Sequence, residues 1–126
     1  MLRVATYNVH RWVGRDGHQD INRALRIING LKADLIALQE VCVPDKGPSL
    51  AVARRLALRM GLQTIAGPTF FEEQGEYGNL VLTRLPVEEI RRWDISVPGR
   101  EPRGAVMVIL KTVYVVKAFG TRIGFC

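Results

Sequence analysis

The chain has 126 residues, 48% of them hydrophobic and 24% charged, which suits one ordinary domain with a buried core and excludes both a pair of typical domains and a disordered polar tract. Eighteen Lys and Arg against 12 Asp and Glu give a formal charge of +6, favouring anionic partners such as nucleic acid, phosphorylated metabolites or anionic lipid headgroups without choosing among them. No polybasic segment marks a nucleic-acid footprint, because the arginines are scattered from Arg3 to Arg122 and adjoin only at Arg54-Arg55 and Arg91-Arg92.

Cys42 and Cys126 match no metal or redox spacing and are expected as reduced thiols. Met1 to Asn8 lacks the apolar core and cleavage site of a signal peptide, and no window approaches 18 uninterrupted apolar residues. A cytoplasmic protein with no transmembrane segment is the expectation.

Leu2 to Val9 is β-branched and aromatic and reads as a first strand, with Tyr7 and Asn8 near its carboxyl end. Arg11 to Gln19, holding Gly14 and Gly17, reads as a loop. Asp20 can cap the next stretch, where Ile21, Ala24, Leu25, Ile28 and Leu31 recur at helical spacing opposite Asn22, Arg23, Arg26 and Asn29. Ala33 to Glu40 climbs from polar to apolar and ends on a carboxylate, as a buried parallel strand would. Strand, loop, helix and strand make a βαβ unit with its two strands parallel.

Cys42 to Pro48 reads as a loop. Ser49 is a candidate N-cap for a helix with Leu50, Ala53, Leu56, Ala57 and Met60 on one stripe and Gly61 as its terminator. Leu62 to Ala66 is then a strand, Gly67 to Tyr77 a loop, and Gly78 to Thr83 and Val87 to Trp93 two strands joined at Arg84-Leu85-Pro86. After a turn at Pro98 to Pro102, Gly104 to Leu110 and Val113 to Val116 complete a β-rich second half whose neighbours should pair antiparallel, since their links are too short for helical crossovers.

Asn8 and Glu40 end the two strands that the βαβ unit makes parallel, so both side chains should reach one rim of the sheet. Ligands of open α/β sheets gather there. A carboxylate can hold Mg²⁺ or Mn²⁺, hard cations that prefer oxygen, and an amide beside it can orient a phosphate without adding repulsive charge. On local grounds alone, Asn8 can equally be a turn-forming residue and Glu40 a solvated one.

Thr6-Tyr7-Asn8-Val9-His10, Asp16-Gly17, Asp20 and Asp34-Leu35-Ile36-Ala37-Leu38-Gln39-Glu40-Val41 together resemble the opening motifs of the endonuclease/exonuclease/phosphatase superfamily. Tyr77-Gly78-Asn79-Leu80-Val81-Leu82-Thr83-Arg84-Leu85-Pro86-Val87 resembles its middle motif, and Arg100-Glu101-Pro102-Arg103-Gly104-Ala105 its Arg-bearing turn. The resemblance runs over roughly residues 2 to 110. It implies a two-sheet α/β sandwich and a Mg²⁺-dependent phosphoester hydrolase acting on nucleic acids, inositol phosphates, nucleotides or phospholipids such as sphingomyelin. Carried over by position, Asn8, Glu40 and Asn79 would be catalytic, Glu40 and Asn8 would hold the metal, and Arg103 would meet an anionic oxygen of substrate. His10 is a rim residue that packs or hydrogen-bonds, and His18 gets no role.

The resemblance also implies a downstream Asp-x-Asn motif and a later Asp-His pair, which this sequence lacks: Asp94 is the only aspartate after Trp93, and no histidine follows His18. The expectation is therefore a single partial domain over 1–126, truncated after the first half of the sandwich, with residues from about 111 an atypical tail. Such a half would expose apolar sheet face and strand edges, favouring self-association, and would hold Mg²⁺ weakly with little or no turnover. The alternatives are a non-catalytic basic module that binds nucleic acid or a protein partner, and a small intact α/β domain whose motif likeness is coincidental.

Overall fold

The computed structural model describes residues 1–44, 54, 57–72, 75–111 and 116–121. The first strand, β1, is Val4–Asn8 and the helix α1 is Ile21–Leu31. Asp20 caps α1 as its position suggests, its side chain accepting from the Arg23 N–H. The helix stops at Lys32, which takes a left-handed conformation with φ of 49°. Of its apolar stripe, Ala24, Leu25 and Ile28 are buried, Ile21 is half-buried and Leu31, at the end of the helix, is exposed.

Strand β2, Leu35–Pro44, pairs parallel to β1 from Val4 opposite Leu35 to Asn8 opposite Gln39, as the βαβ reading requires. It departs from expectation at its far end: the strand does not finish at Glu40 but runs through an irregularity to Pro44. Residues 57–59 are helical, and Gly61, at φ +69°, closes that helix as foreseen, with its N–H bonded to the Leu58 carbonyl. The start proposed at Ser49 lies outside the described residues.

The loop expected over Gly67 to Tyr77 is instead a hairpin, in which β3, Gln63–Glu72, pairs antiparallel with β4, Gly75–Thr83. Gly67 and Pro68 suggested a loop, yet the register of this pair shifts between Pro68 and Phe70, and an irregularity of that kind tolerates a residue without a backbone N–H. Strands β5, Val87–Asp94, β6, Gly104–Leu110, and β7, Val116–Thr121, form an antiparallel sheet of their own. The expectation of antiparallel neighbours therefore fails at one place: β4 and β5 do not pair. Both edges of β4 are already taken, by β2 and β3, in the order β1-β2-β4-β3. The corner Arg84-Leu85-Pro86 carries the chain across to the second sheet, held by bonds from the Arg84 N–H and the Thr83 hydroxyl to the Asp34 carbonyl.

Side-chain alternation along β2 and β4 feeds two cores. Ile36, Leu38, Leu80 and Leu82 join Ala24, Leu25 and Ile28 under the helical layer. Leu35, Ile65 and Val81 face the other way, onto Val106, Val108 and Leu110 of β6. The second sheet covers this face of the first at those residues, and within the stretch expected as a tail Val116–Thr121 forms β7. The result is a two-sheet α/β sandwich. The sheets approach tightly where Gly67 faces Val106, since a Cβ on residue 67 would lie 2.9 Å from the valine Cβ.

That approach makes a specific demand on side-chain volume. Gly67→Ala should destabilise the fold by about 1–3 kcal/mol through overpacking, and the cost should shrink in a Val106→Ala background; urea denaturation of the two single variants and the double variant measures the coupling.

Candidate functional site

The strand-tip residues meet because β2 carries a bulge. Leu38 pairs with Leu80 and Val41 with Gly78, leaving Gln39 and Glu40 opposite the single residue Asn79. Two residues against one is how a bulge re-aims a side chain. Glu40 sits there at φ +54°, a left-handed conformation that costs a non-glycine residue roughly 1 kcal/mol or more and is concentrated at functional sites. In return its carboxylate lies over the end of β1, where Oε1 accepts from Asn8 Nδ2 at 3.0 Å. Oε2 is 3.5 Å from His10 Nδ1. Asn8 is committed at both ends of its amide, because its Oδ1 accepts the His10 backbone N–H at 2.9 Å. Gln39 turns aside and bonds the Thr6 hydroxyl at 2.8 Å.

His10 reaches Glu40 through an unusual turn. His10, Arg11 and Trp12 all have positive φ, at 47°, 55° and 67°. A bulky residue there is a genuine outlier, and the structure shows what holds it. Trp12 is buried, and its indole N–H donates to the Cys42 carbonyl at 2.8 Å. Its backbone bonds on both sides, N–H to the Val9 carbonyl at 2.8 Å and carbonyl to the Asp20 N–H at 2.9 Å. The buried indole thereby fastens the turn to β2 just past the bulge.

The loop from this turn to α1 is clamped in turn. Arg23 Nη1 lies 2.7 Å from Asp16 Oδ2, and Nη2 also bonds the His18 carbonyl at 3.0 Å. Gly14 packs so closely on the guanidinium that a Cβ would lie 2.0 Å from Nη2. Hydrogen bonds from Arg23, then from the His18 backbone, hold the Asp16 carboxyl down at about 2.

Asn8, Glu40 and His10 are therefore brought together. Asn79, expected to be catalytic, lies across from the bulge but is buried, and its Nδ2 donates to the Gly104 carbonyl at 3.3 Å. It ties the two sheets together instead of facing solvent. Arg103 precedes that glycine in an exposed turn, with its N–H on the Ser96 hydroxyl at 2.9 Å. Asn8 thus stands between the two, its amide oxygen accepting from the His10 N–H and its nitrogen donating to the Glu40 carboxylate. Among the described residues no group of three or more His, Cys, Asp and Glu is placed to hold a metal ion, and no helix is long and apolar enough to cross a membrane. Trp12 and the Asp16–Arg23 clamp escape a reading of the sequence, in which only the two-residue spacing from Asn8 to His10 hints at the turn.

With this geometry established, comparison with known proteins is decisive. The sequence pattern of the Endonuclease/Exonuclease/phosphatase family matches residues 5–122. The chain belongs to that family. Among curated proteins it is similar to the uncharacterized protein YbhP of Escherichia coli (strain K12), 29% identical over 114 residues that make up 83% of this chain and 45% of the relative. The chain thus spans less than half the length of the curated relatives it matches. An endonuclease/exonuclease/phosphatase from Beutenbergia cavernae DSM 12333 superposes with a TM-score of 0.80 at 25% identity, covering 95% of this chain and 37% of that one. TDP2 from C. elegans superposes at 0.70 with 18% identity over 95% of this chain and 35% of its own. ANGEL2, a 2′,3′-cyclic phosphatase, does so at 0.68 with 14% identity over 95% and 40%. At these identities the last two share the fold.

The Asp16 clamp predicts an acid response. A carboxyl depressed to about 2 when folded, against an ordinary 3.8, contributes stability that is present above the unfolded value and lost as pH falls through the folded one. Thermal melts between pH 4.5 and 2 should therefore decline less steeply in Asp16→Asn than in the parent.

Proposed function

We propose that the strand-tip site handles a phosphate ester beside a divalent cation, the reading carried by the 3.0 Å hydrogen bond that presets the Glu40 carboxylate at the end of the parallel β1–β2 pair. The donor chemistry fits. A carboxylate is a hard oxygen ligand, and Mg²⁺ or Mn²⁺ is often held by one or two carboxylates while it keeps several waters for substrate to replace. When bound, such an ion would polarise a phosphoryl oxygen and lower the pKa of its water. Glu40 would hold it; Asn8 would keep the carboxylate from rotating, and His10, on the far oxygen, would limit its swing. Arg103, in the turn beside the Asn79–Gly104 bond, would meet an anionic oxygen of the ester. Family membership supports phosphoester chemistry, and the candidate substrates are nucleic acids, inositol phosphates and phospholipid headgroups.

Among the described residues Glu40 is the carboxylate that meets Asn8, and the 126 residues hold no histidine beyond His18, so by themselves they should turn over slowly if at all. That same shortage favours a second reading, a basic binding module without catalysis. The two part cleanly. Addition of Mn²⁺ should broaden the NMR resonances of residues around Glu40 and Asn8, and Glu40→Gln should abolish the broadening. Hydrolysis of bis(p-nitrophenyl) phosphate with Mg²⁺ or Mn²⁺ should stay near background, any excess falling at least about tenfold in Glu40→Gln. Robust Glu40-dependent hydrolysis would overturn the incomplete-site account, and metal-independent, salt-sensitive nucleic-acid binding that survives Glu40→Gln would favour the binding module.

A further inference from the structure

The helical layer carries a feature that the strand-tip site does not use. A groove of about 410 Å³ opens between α1 and the end of the second helix, lined by Asn22, Leu25, Arg26, Asn29, Arg59 and Met60. Leu25 is buried and forms an apolar floor with half-buried Met60, while both arginines and both asparagines are exposed on its walls. Asn22, Arg26 and Asn29 follow one another by four and three residues along α1, so they stand on one face at intervals of about 4.5–6 Å.

The groove brings two arginines together on its walls. Neither belongs to an ion pair among the described residues, unlike Arg23, Arg84 and Arg91, which each face a carboxylate. The sequence explains why: α1 contains no acidic residue, and none occurs between Asp45 and Glu72. Two guanidiniums that share a groove and face no carboxylate among the described residues repel each other, and an anion between them relieves that repulsion. Planar guanidiniums match phosphate oxygens as paired donors. The asparagine amides add neutral donors, and Leu25 and Met60 suit the apolar flank of an esterified phosphate.

We infer that this groove is a second anion site, separate from the strand tip, that takes a phosphate group, either free or in a nucleic-acid strand. It needs no metal and does not depend on the reading of Glu40. Isothermal titration of the full chain with inorganic phosphate tests the first source; fluorescence anisotropy with labelled oligo(dT), at 50 to 200 mM salt, tests the second.

Arg26→Gln combined with Arg59→Gln should weaken binding of whichever ligand occupies the groove by about tenfold. For the oligonucleotide, the magnitude of the salt slope should also fall by about 1.4, at about 0.7 per phosphate contact for a single strand. Arg26→Lys with Arg59→Lys should keep part of the affinity, as paired cationic donors on the groove walls require. An unchanged melting temperature verifies that the double variant folds. Binding within twofold of the parent in the Gln double variant overturns the inference. So does an equal loss from Arg100→Gln, an exposed arginine in the turn between β5 and β6, because that outcome assigns the effect to net charge alone.

Discussion

The bond from Asn8 to Glu40 joins residues 32 positions apart, and most of the fold's first half is arranged so that it can form. The crossover through α1 sets β1 and β2 parallel, which brings their carboxyl ends to one rim. Parallel pairing alone would not suffice. The register places Asn8 opposite Gln39, and an uninterrupted strand would send Gln39 and Glu40 to opposite faces. The bulge against Asn79 resolves this by giving up one residue of the ladder to turn the carboxylate over β1.

Several elements converge on that constraint. Three successive left-handed residues are a strained way to leave a strand, yet they put the His10 imidazole beside the second carboxylate oxygen and its N–H on the Asn8 amide. The buried indole of Trp12 and the Arg23–Asp16 clamp hold the strained turn from either side. A carboxylate fixed by an amide and flanked by an imidazole loses little entropy when it engages a ligand, the advantage of a preorganised group.

Patterns with a fixed period are legible in the amino-acid sequence itself. The apolar stripe of α1, its Asp20 cap, the Gly61 terminator and the parallel β1–β2 pair all follow from local rules, and so does the placing of Asn8 and Glu40 at one rim. What escapes the sequence depends on partners distant along the chain. The bulge exists because β4 has one residue where β2 has two, which neither strand reveals alone. The hairpin over Gly67 to Tyr77 reads as a loop because its glycine and proline signal irregularity locally, whereas pairing absorbs them. Nothing local to Asn79 announces that its side chain donates across to Gly104, since that bond requires β5 to β7 to form a separate layer. The left-handed turn at His10 to Trp12 carries no glycine to announce it.

Placing β4 between β2 and β3 also sets the order in which the protein can be assembled. Glu40 is aimed by residues 78 to 80, so a ribosome must extend the chain some 40 positions beyond the carboxylate before its orientation can be determined. Until the hairpin of β3 and β4 folds back onto β2, the β1–β2 pair has an unsatisfied ladder edge and Glu40 no reason to adopt positive φ. Such non-local closure is slow relative to helix formation, so α1 can form early while the rim matures last, and a nascent chain halted before Gly78 would carry the motif without the geometry.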